Sequence, residues 1–357
     1  MTAAINTDIL VLGLGPAGAC AAMQAAQQGC RVIAVDRKRI AGQPVQCAEF
    51  VPAMIGIDVP DRTTAVAQPI RAMVTTVEDD LPDLMPDFPG HMLDRAAFDA
   101  ALVDRAMAAG ADCRLNTRVR ELTPDGVAVT TDGARIQAQV LIGADGPRSI
   151  AGRAIGSINT ELVETRQITV PLLEPHEATD IFLATDVVGG YGWLFPKGRT
   201  ANLGAGVDPT FRHRLKEIVR KIHRSLVANG RVGPAVLRLT GGPIPVGGML
   251  MPRGAVGGRL VLLTGDAAGL ANPVTGAGIA AAIHSGKLAG ESAASHLAGC
   301  ATAADDYEDE LTMIYQPALD RAVRRRVELR DLYRAGRVPS RAMLRRGWIA
   351  YPEYWAR

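Results

Sequence analysis

Residues 8–36 constrain the fold more tightly than any other stretch of the chain. Residues 8–13 (DILVLG) are a short aliphatic run, and residues 16–28 (PAGACAAMQAAQQ) read as an Ala-rich helix with Pro16 in its first turn. A proline is tolerated there because that N–H would have no helical partner anyway. Residues 31–36 (RVIAVD) are a second strand pattern. Strand, helix and strand within about 30 residues make a right-handed crossover, which calls for a parallel sheet. Gly13, Gly15 and Gly18 spell GxGxxG at the first turn. In that pattern one glycine allows the tight turn, one the close approach of a pyrophosphate and one the packing of helix on strand. Asp36 ends the second strand about 20 residues on, where an acid can accept hydrogen bonds from ribose hydroxyls. Dinucleotide binding is the reading.

A second strand-and-turn unit lies at residues 260–288 (LVLLTGDAAGLANPVTGAGIAAAIHSGKL). An apolar strand runs into a Gly-Asp turn, a Pro/Gly loop and a small-residue helix starting near Gly278. The unpaired N–H groups and positive dipole end of such a helix favour an anionic or electron-rich group. Between these units the texture changes more than once. Residues 37–60 are irregular and place Cys47 and Glu49 among apolar residues, while residues 95–109 form an amphipathic pattern with Ala96, Leu102, Val103 and Met107 on one face. Strand-like stretches at 114–122, 126–131 and 137–142 end in GADGPRS. Residues 167–207 alternate with period two between turn residues, which points to an antiparallel sheet. Residues 212–228 are a charged amphipathic helix, and residues 305–335 are helical with an expected kink at Pro317.

Composition removes several function classes. The 357 residues are 48% hydrophobic and 21% charged, as expected of a globular enzyme or binding protein and not of a disordered chain. Cys20, Cys30, Cys47, Cys113 and Cys300 show no CxxC spacing or His pairing, so no disulfide framework and no metal site is expected, and a reducing, cytoplasmic setting follows. No signal peptide and no transmembrane segment is read. A net charge of +2 argues against nucleic-acid binding. The charge is uneven, however: residues 317–357 hold eleven Arg against four acids, a local +7 that leaves −5 on residues 1–316. That tail is either a solvated helix face or a peripheral contact for an anionic membrane or an acidic partner.

Taken in order, the fingerprint at 13–36, the helix starting at Arg95, the GADG turn and GDAAGLANPVTGAGI resemble the FAD-containing para-hydroxybenzoate hydroxylase superfamily and, within it, the geranylgeranyl reductase family. The resemblance runs from residue 8 to about residue 290. It implies FAD as cofactor and a fold of the α/β class, α+β overall. A Rossmann-type FAD-binding domain (1–62, 91–164 and 250–298) would interleave with an antiparallel-sheet substrate domain (63–90 and 165–249), followed by a C-terminal helical segment (299–357). By the same resemblance Gly13, Gly15, Pro16, Ala17 and Gly18 meet the FAD pyrophosphate, Asp36 and Arg37 the adenosine side, and Gly265 and Asp266 the ribityl chain. Pro273, Gly276, Ala277, Gly278 and Ile279 lie along the isoalloxazine, with Arg95 and Asp145 near the cofactor; a salt bridge is an equal reading for Arg95.

Two features resemble the reductase branch. Gly269 stands where aromatic hydroxylases usually have His after GDAA, and residues 191–196 match the YxWxFP substrate-site motif, with Cys47 at the position of a cysteine near the flavin. The expectation is therefore reduction of a C=C bond in an isoprenoid-like or other apolar or aromatic substrate, with Cys47, Glu49, Tyr191 and Trp193 as the catalytic group and NAD(P)H as a transient donor. The substrate would be presented by a membrane or a partner protein. Sheet packing is the competing reading for Tyr191 and Trp193. A monooxygenase using NAD(P)H and O2, including one that modifies an aromatic side chain of a partner protein, and a non-catalytic flavin-binding maturation partner stay open. Halogenation is set aside because no lysine occurs between Lys38 and Lys197.

Overall fold

The computed structural model describes residues 4–52 and 65–356. The expected domain boundary at 62/63 lies outside the described residues. Five parallel strands form the centre of the first sheet, in the spatial order Arg259–Leu263, Arg135–Gly143, Ile5–Leu12, Val32–Val35, Asp112–Arg114. Chain order reverses between the first strand and Arg135–Gly143, and the crevice at such a reversal is where open α/β sheets bind dinucleotides. The fingerprint helix Pro16–Gln27 and the helix Ile279–Leu297 pack against each other on one face. Their contact is backbone to backbone: a methyl added at Gly286 would lie 2.2 Å from the Ala17 carbonyl, and one at Gly290 would lie 2.5 Å from that of Ala21.

The second large sheet runs Arg238–Thr240, Leu162–Pro171, Thr200–Val207, Gly192–Lys197, Ala178–Leu183, Ala72–Val77, Asp83–Met85. It is antiparallel except for one pair: Ala178–Leu183 runs parallel to Ala72–Val77, a strand that arrives from far upstream. Period-two alternation divides its side chains between two cores. Ile168, Val170, Leu194 and Leu203 face the helix Leu215–Ala228. Ile181, Trp193 and Phe195 face Phe88, Leu344 and Trp348 on the opposite side. A small third sheet, Phe50–Pro52, Gly90–Leu93 and Val66–Ile70, draws strands from both sides of the expected domain boundaries.

The C-terminal part is helical. A 32-residue helix, Ala303–Arg334, continues through Pro317. After it the chain folds back as two short helices, Arg341–Arg346 and Pro352–Trp355, and buries Leu344, Trp348 and Tyr354. No helix among the described residues is long and apolar enough to cross a membrane, and no group of three or more His, Cys, Asp or Glu side chains among them is placed to hold a metal ion.

Candidate active site

One cavity of about 1350 Å³ joins the crevice of the parallel sheet to the inner face of the second sheet. It exceeds the roughly 300–1,000 Å³ typical of small-ligand pockets, which leaves room for a dinucleotide and a second molecule. At the crevice end the three glycines divide the work as their spacing predicts. Gly13 has φ +98°, and a methyl on it would lie 2.4 Å from the Ala144 carbonyl. One on Gly18 would lie 1.8 Å from the Gly13 carbonyl, whereas one on Gly15 would meet nothing within 4 Å. Gly13 and Gly18 are therefore packing glycines, and the open space beside Gly15, at the uncapped start of Pro16–Gln27, is shaped to take a pyrophosphate. Asp36 lines the cavity while bracing this turn: its carboxylate accepts from Leu14 N and Lys38 N, both at 2.8 Å. Pro16, Ala17 and Arg37 line the same end.

The residue 260–288 unit supplies the opposite wall. Gly265, with φ +57°, begins the turn, and Gly278 precedes the helix Ile279–Leu297 with no side-chain cap, so the helix start faces the cavity bare. Asp266 projects into this region, and no described residue donates a hydrogen bond to its carboxylate. Burial pushes its pKa up to about 6 against the opposing charge of Arg95. A buried carboxylate wanting donors matches the hydroxyls of a ribityl chain. Asn159 Nδ2 donates to the Asp266 carbonyl and fixes the turn from behind. The residues present thus fit FAD. Gly269 has a steric reason of its own: with φ +71°, a methyl there would lie 2.2 Å from the Gly248 carbonyl, so this backbone has no space for the imidazole of the hydroxylases.

The side chains expected near the flavin do converge, though in differing roles. Asp145 accepts from Ser149 Oγ and Ile150 N, both at 2.5 Å, and so holds Ser149, the N-cap of the short helix Ile150–Ala154. Burial raises its pKa against those bonds. Arg95 forms a two-pronged ion pair with Asp99 in its own helix, at 2.9 and 3.0 Å. Cys47 lies within its electrostatic reach; burial opposes the Arg95 charge, but Asp99 and Cys47 outweigh burial and raise its pKa. Cys47 is half-buried on the cavity wall, with the half-buried Tyr191 also in its electrostatic reach.

Glu49 is a structural knot. It is 1% exposed, has φ +71°, and receives Lys197 Nζ at 2.8 Å, Asn202 Nδ2 at 2.8 Å and Arg95 N at 3.2 Å, with Arg238 at 3.6 Å. Three hydrogen bonds and one ion pair make this carboxylate a fastening between the Cys47 loop and the second sheet, while Glu49 also lines the cavity. Trp193 combines both readings made of it: it packs in the sheet core, and it lines the cavity. Its Nε1 donates to Gln167 Oε1 at 3.1 Å, and Gln167 Nε2 donates to the Cys47 carbonyl at 3.1 Å. Tyr191 donates its hydroxyl to the Thr275 carbonyl at 2.6 Å and so ties the sheet to the Pro/Gly loop; burial raises its pKa, with Cys47 adding to the effect.

Sequence reasoning missed Gln167, Lys197 and Asn202, and it missed the aromatic wall closed by Trp348 at 4.7 Å from Tyr191. The available signals were polar residues on inward strand positions and the aromatic run WIAYPEYW at residues 348–355.

Comparison with known proteins gives a consistent picture. The FAD binding domain family matches residues 6–181. Digeranylgeranylglycerophospholipid reductase 2 of Methanosphaera stadtmanae is 34% identical over 312 residues, covering 80% of this chain and 77% of that protein. The protein of the same name from Methanopyrus kandleri is 32% identical over 339 residues, covering 87% and 85%. Among solved structures, a geranylgeranyl bacteriochlorophyll reductase-like protein of Thermoplasma acidophilum superposes with a TM-score of 0.82 at 23% identity, over 99% of this chain and 98% of that one. A probable FAD-dependent monooxygenase of Pseudomonas aeruginosa shares the fold at 19% identity and a TM-score of 0.68, over 93% and 99%.

Proposed function

We propose, from the premise that this chain belongs to the geranylgeranyl reductase family of FAD-dependent oxidoreductases, that it saturates C=C bonds of an isoprenoid-like apolar substrate. The carrying observation is the continuity of the cavity, which joins the FAD cradle to a pocket walled by Phe50, Phe88, Tyr191, Trp193, Phe195 and Trp348. Reduced FAD, when bound, supplies a hydride equivalent to one carbon of the double bond. The protein's own part is to exclude water, hold the chain against the aromatic wall and deliver a proton to the other carbon.

For that proton we favour Cys47 Sγ: both Cys47 and Glu49 line the cavity, but the Glu49 carboxylate is engaged by Lys197, Asn202 and the Arg95 backbone N–H. The Arg95 guanidinium, in electrostatic reach of Cys47, would compensate the negative charge left on sulfur. The relay Trp193–Gln167–Cys47 holds the loop that carries the sulfur. Loop and helix start at residues 273–279 stabilise negative charge on the bound ring by about 0.3–1 kcal/mol, which biases a potential without creating reactivity.

The electron donor in this reading is a visiting NAD(P)H, and the setting is cytoplasmic with the substrate taken from a membrane or a partner protein. Contact of residues 317–357 with an anionic surface belongs to the same proposal. It draws on a small set of arginines, because Arg325, Arg330, Arg341, Arg345 and Arg346 pair with acids inside the chain. The test is anaerobic: photoreduced holoenzyme mixed with geranylgeraniol or a prenylated glycerol ether should reoxidise and yield saturated product. Reoxidation by oxygen alone, with hydroxylated product from an aromatic, would replace this reading with the monooxygenase.

A further inference from the structure

The backbone of Glu49 is as fully engaged as its carboxylate. Its carbonyl accepts from Leu93 N at 2.8 Å, and its own N–H donates to Cys47 Sγ at 3.2 Å. That second bond closes a local turn of the kind that Ser and Asn side chains close with backbone N–H groups two residues on. On sulfur it has a chemical consequence, because an N–H aimed at Sγ stabilises the thiolate left when the thiol gives up its proton.

The conformation that aims this N–H is a disfavoured one. Three non-glycine residues among those described have a left-handed φ, Glu49, Glu78 and Asn116, and of these only Glu49 is buried. Glycine takes that backbone freely and a residue with a Cβ does not; such outliers persist where the surroundings over-determine them. A glycine would make the turn with neither the backbone cost nor a buried charge. What the glutamate adds is an anchor, through Lys197, Asn202 and Arg238 of the second sheet. Neighbouring carbonyls of the loop are held from the same sheet. Val45 O accepts from Thr240 Oγ1 at 2.9 Å, Cys47 O from Gln167 Nε2 at 3.1 Å and Ala48 O from Asn202 Nδ2 at 3.2 Å. The place of the sulfur is therefore set by the sheet that also carries Tyr191 and Trp193 of the pocket wall.

We propose that Glu49 is a positioning residue for Cys47: anchored to the second sheet by its carboxylate, it fixes its own N–H on Sγ, so that a donor occupies one side of the sulfur and the thiol proton is left to the cavity. This rests on the reductase reading for the fate of that proton, while the hold on the sulfur is testable without any reduction.

FAD-loaded wild type, Glu49→Gly, Glu49→Gln and Asn202→Ala are labelled with iodoacetamide at neutral pH, and Cys47 and the exposed Cys300 are followed separately by peptide mass spectrometry. Since the thiolate is the nucleophile, Cys47 in Glu49→Gly should label about 10-fold more slowly, the loss expected with one charge-assisted hydrogen bond, while Cys300 is unchanged. Glu49→Gln keeps an acceptor for Lys197 and should fall between glycine and wild type. In turnover of geranylgeraniol, Glu49→Gly should lower kcat about 10-fold and leave KM within about twofold, because the pocket wall is untouched. Asn202→Ala removes one donor from the Glu49 carboxylate and the donor to Ala48 O; it should slow Cys47 labelling in the same direction, and it serves should the glycine variant fail to fold. Cys47 labelling that is unchanged or faster in whichever of these two variants folds overturns the proposal, as does a lowered melting temperature with labelling and kcat unchanged. Should labelling slow as stated while wild type reduces no isoprenoid, the hold on the sulfur stands and the reductase reading falls.

Discussion

Asp266 carries a charge that its surroundings oppose in the FAD-free protein. Its folded pKa, about 6, lies above the ordinary 3.8 because burial penalises the carboxylate more than Arg95 stabilises it. A group raised in the folded state contributes stability that is fully present below its unfolded pKa and is lost as pH rises through its folded one. Stability of FAD-free protein should therefore decline between about pH 4 and pH 6, leaving a cost of about 3 kcal/mol at pH 7. Asp266→Asn removes the charge at little change in shape. The FAD-free variant should melt higher than FAD-free wild type at pH 7 and no higher at pH 4, yet retain FAD less well because the acceptors for the ribityl hydroxyls are weakened. A melting temperature lowered at pH 7 would contradict the assignment of Asp266 as a ligand-facing buried charge. His176 carries the same linkage far from the site. Burial works against its charged form, but the bond to Asp180 Oδ2 at 2.9 Å and the Asp180 charge raise its pKa. Its contribution is present below about pH 6.5 and fades above its raised folded pKa, so His176→Gln should lose stability at pH 6 and little at pH 9.

At the scale of elements, the decisive contact is between the fingerprint helix and the helix Ile279–Leu297. Both helices begin at glycine-rich turns that line the cavity, and Gly286 lets their backbones touch. Gly286→Ala places a methyl 2.2 Å from the Ala17 carbonyl, which forces the helices apart. Overpacking of this kind costs about 1–3 kcal/mol, and here the displacement also spreads the FAD cradle. The variant should express folded, melt lower and lose most of its FAD on gel filtration; unchanged flavin occupancy would show that the two walls bind independently. The parallel half of the fold was legible because its glycines, strands and acid all serve one local geometry, and Gly13, Gly15 and Gly18 have the environments that their spacing implies. The mixed second sheet was less legible. Nothing in residues 72–77 announces a partner one hundred residues away, and parallel pairing leaves no turn between strands to mark it. Likewise Gln167, Asn202 and Lys197 look like ordinary strand residues until the tertiary fold brings them to Glu49 and Cys47.

For the whole molecule, the open question is what keeps the last residues folded over the aromatic wall, since the same segment carries the basic charge. Ion pairs from Arg341 to Asp79 and Asp80, and from Arg345 to Asp80, clamp it to the second sheet, and Tyr351 donates to Asp83 at 2.7 Å. These side chains are partly or largely exposed, and such pairs are worth about 0–1 kcal/mol each and are screened by salt over about 10 Å at 0.1 M. Leu344, Trp348 and Tyr354 are 7%, 3% and 2% exposed, and burying each contributes about 1.5–3 kcal/mol. Apolar burial therefore outweighs the clamp, and the segment belongs to the substrate pocket more than to the surface. Two outcomes follow. Raising NaCl to 1 M should leave closure, read as affinity for a neutral apolar ligand such as farnesol, within about twofold of its low-salt value. Ending the chain at Arg337 should instead expose Met73, Phe88 and Phe195, which share a cluster with Leu344 and Trp348. The shortened protein should keep its FAD, because the cradle is built from the two glycine-rich turns, while it binds hydrophobic dyes and loses farnesol affinity at least tenfold. If 1 M salt weakened farnesol as much as the truncation did, the charges and not the aromatic anchors would be holding the pocket shut.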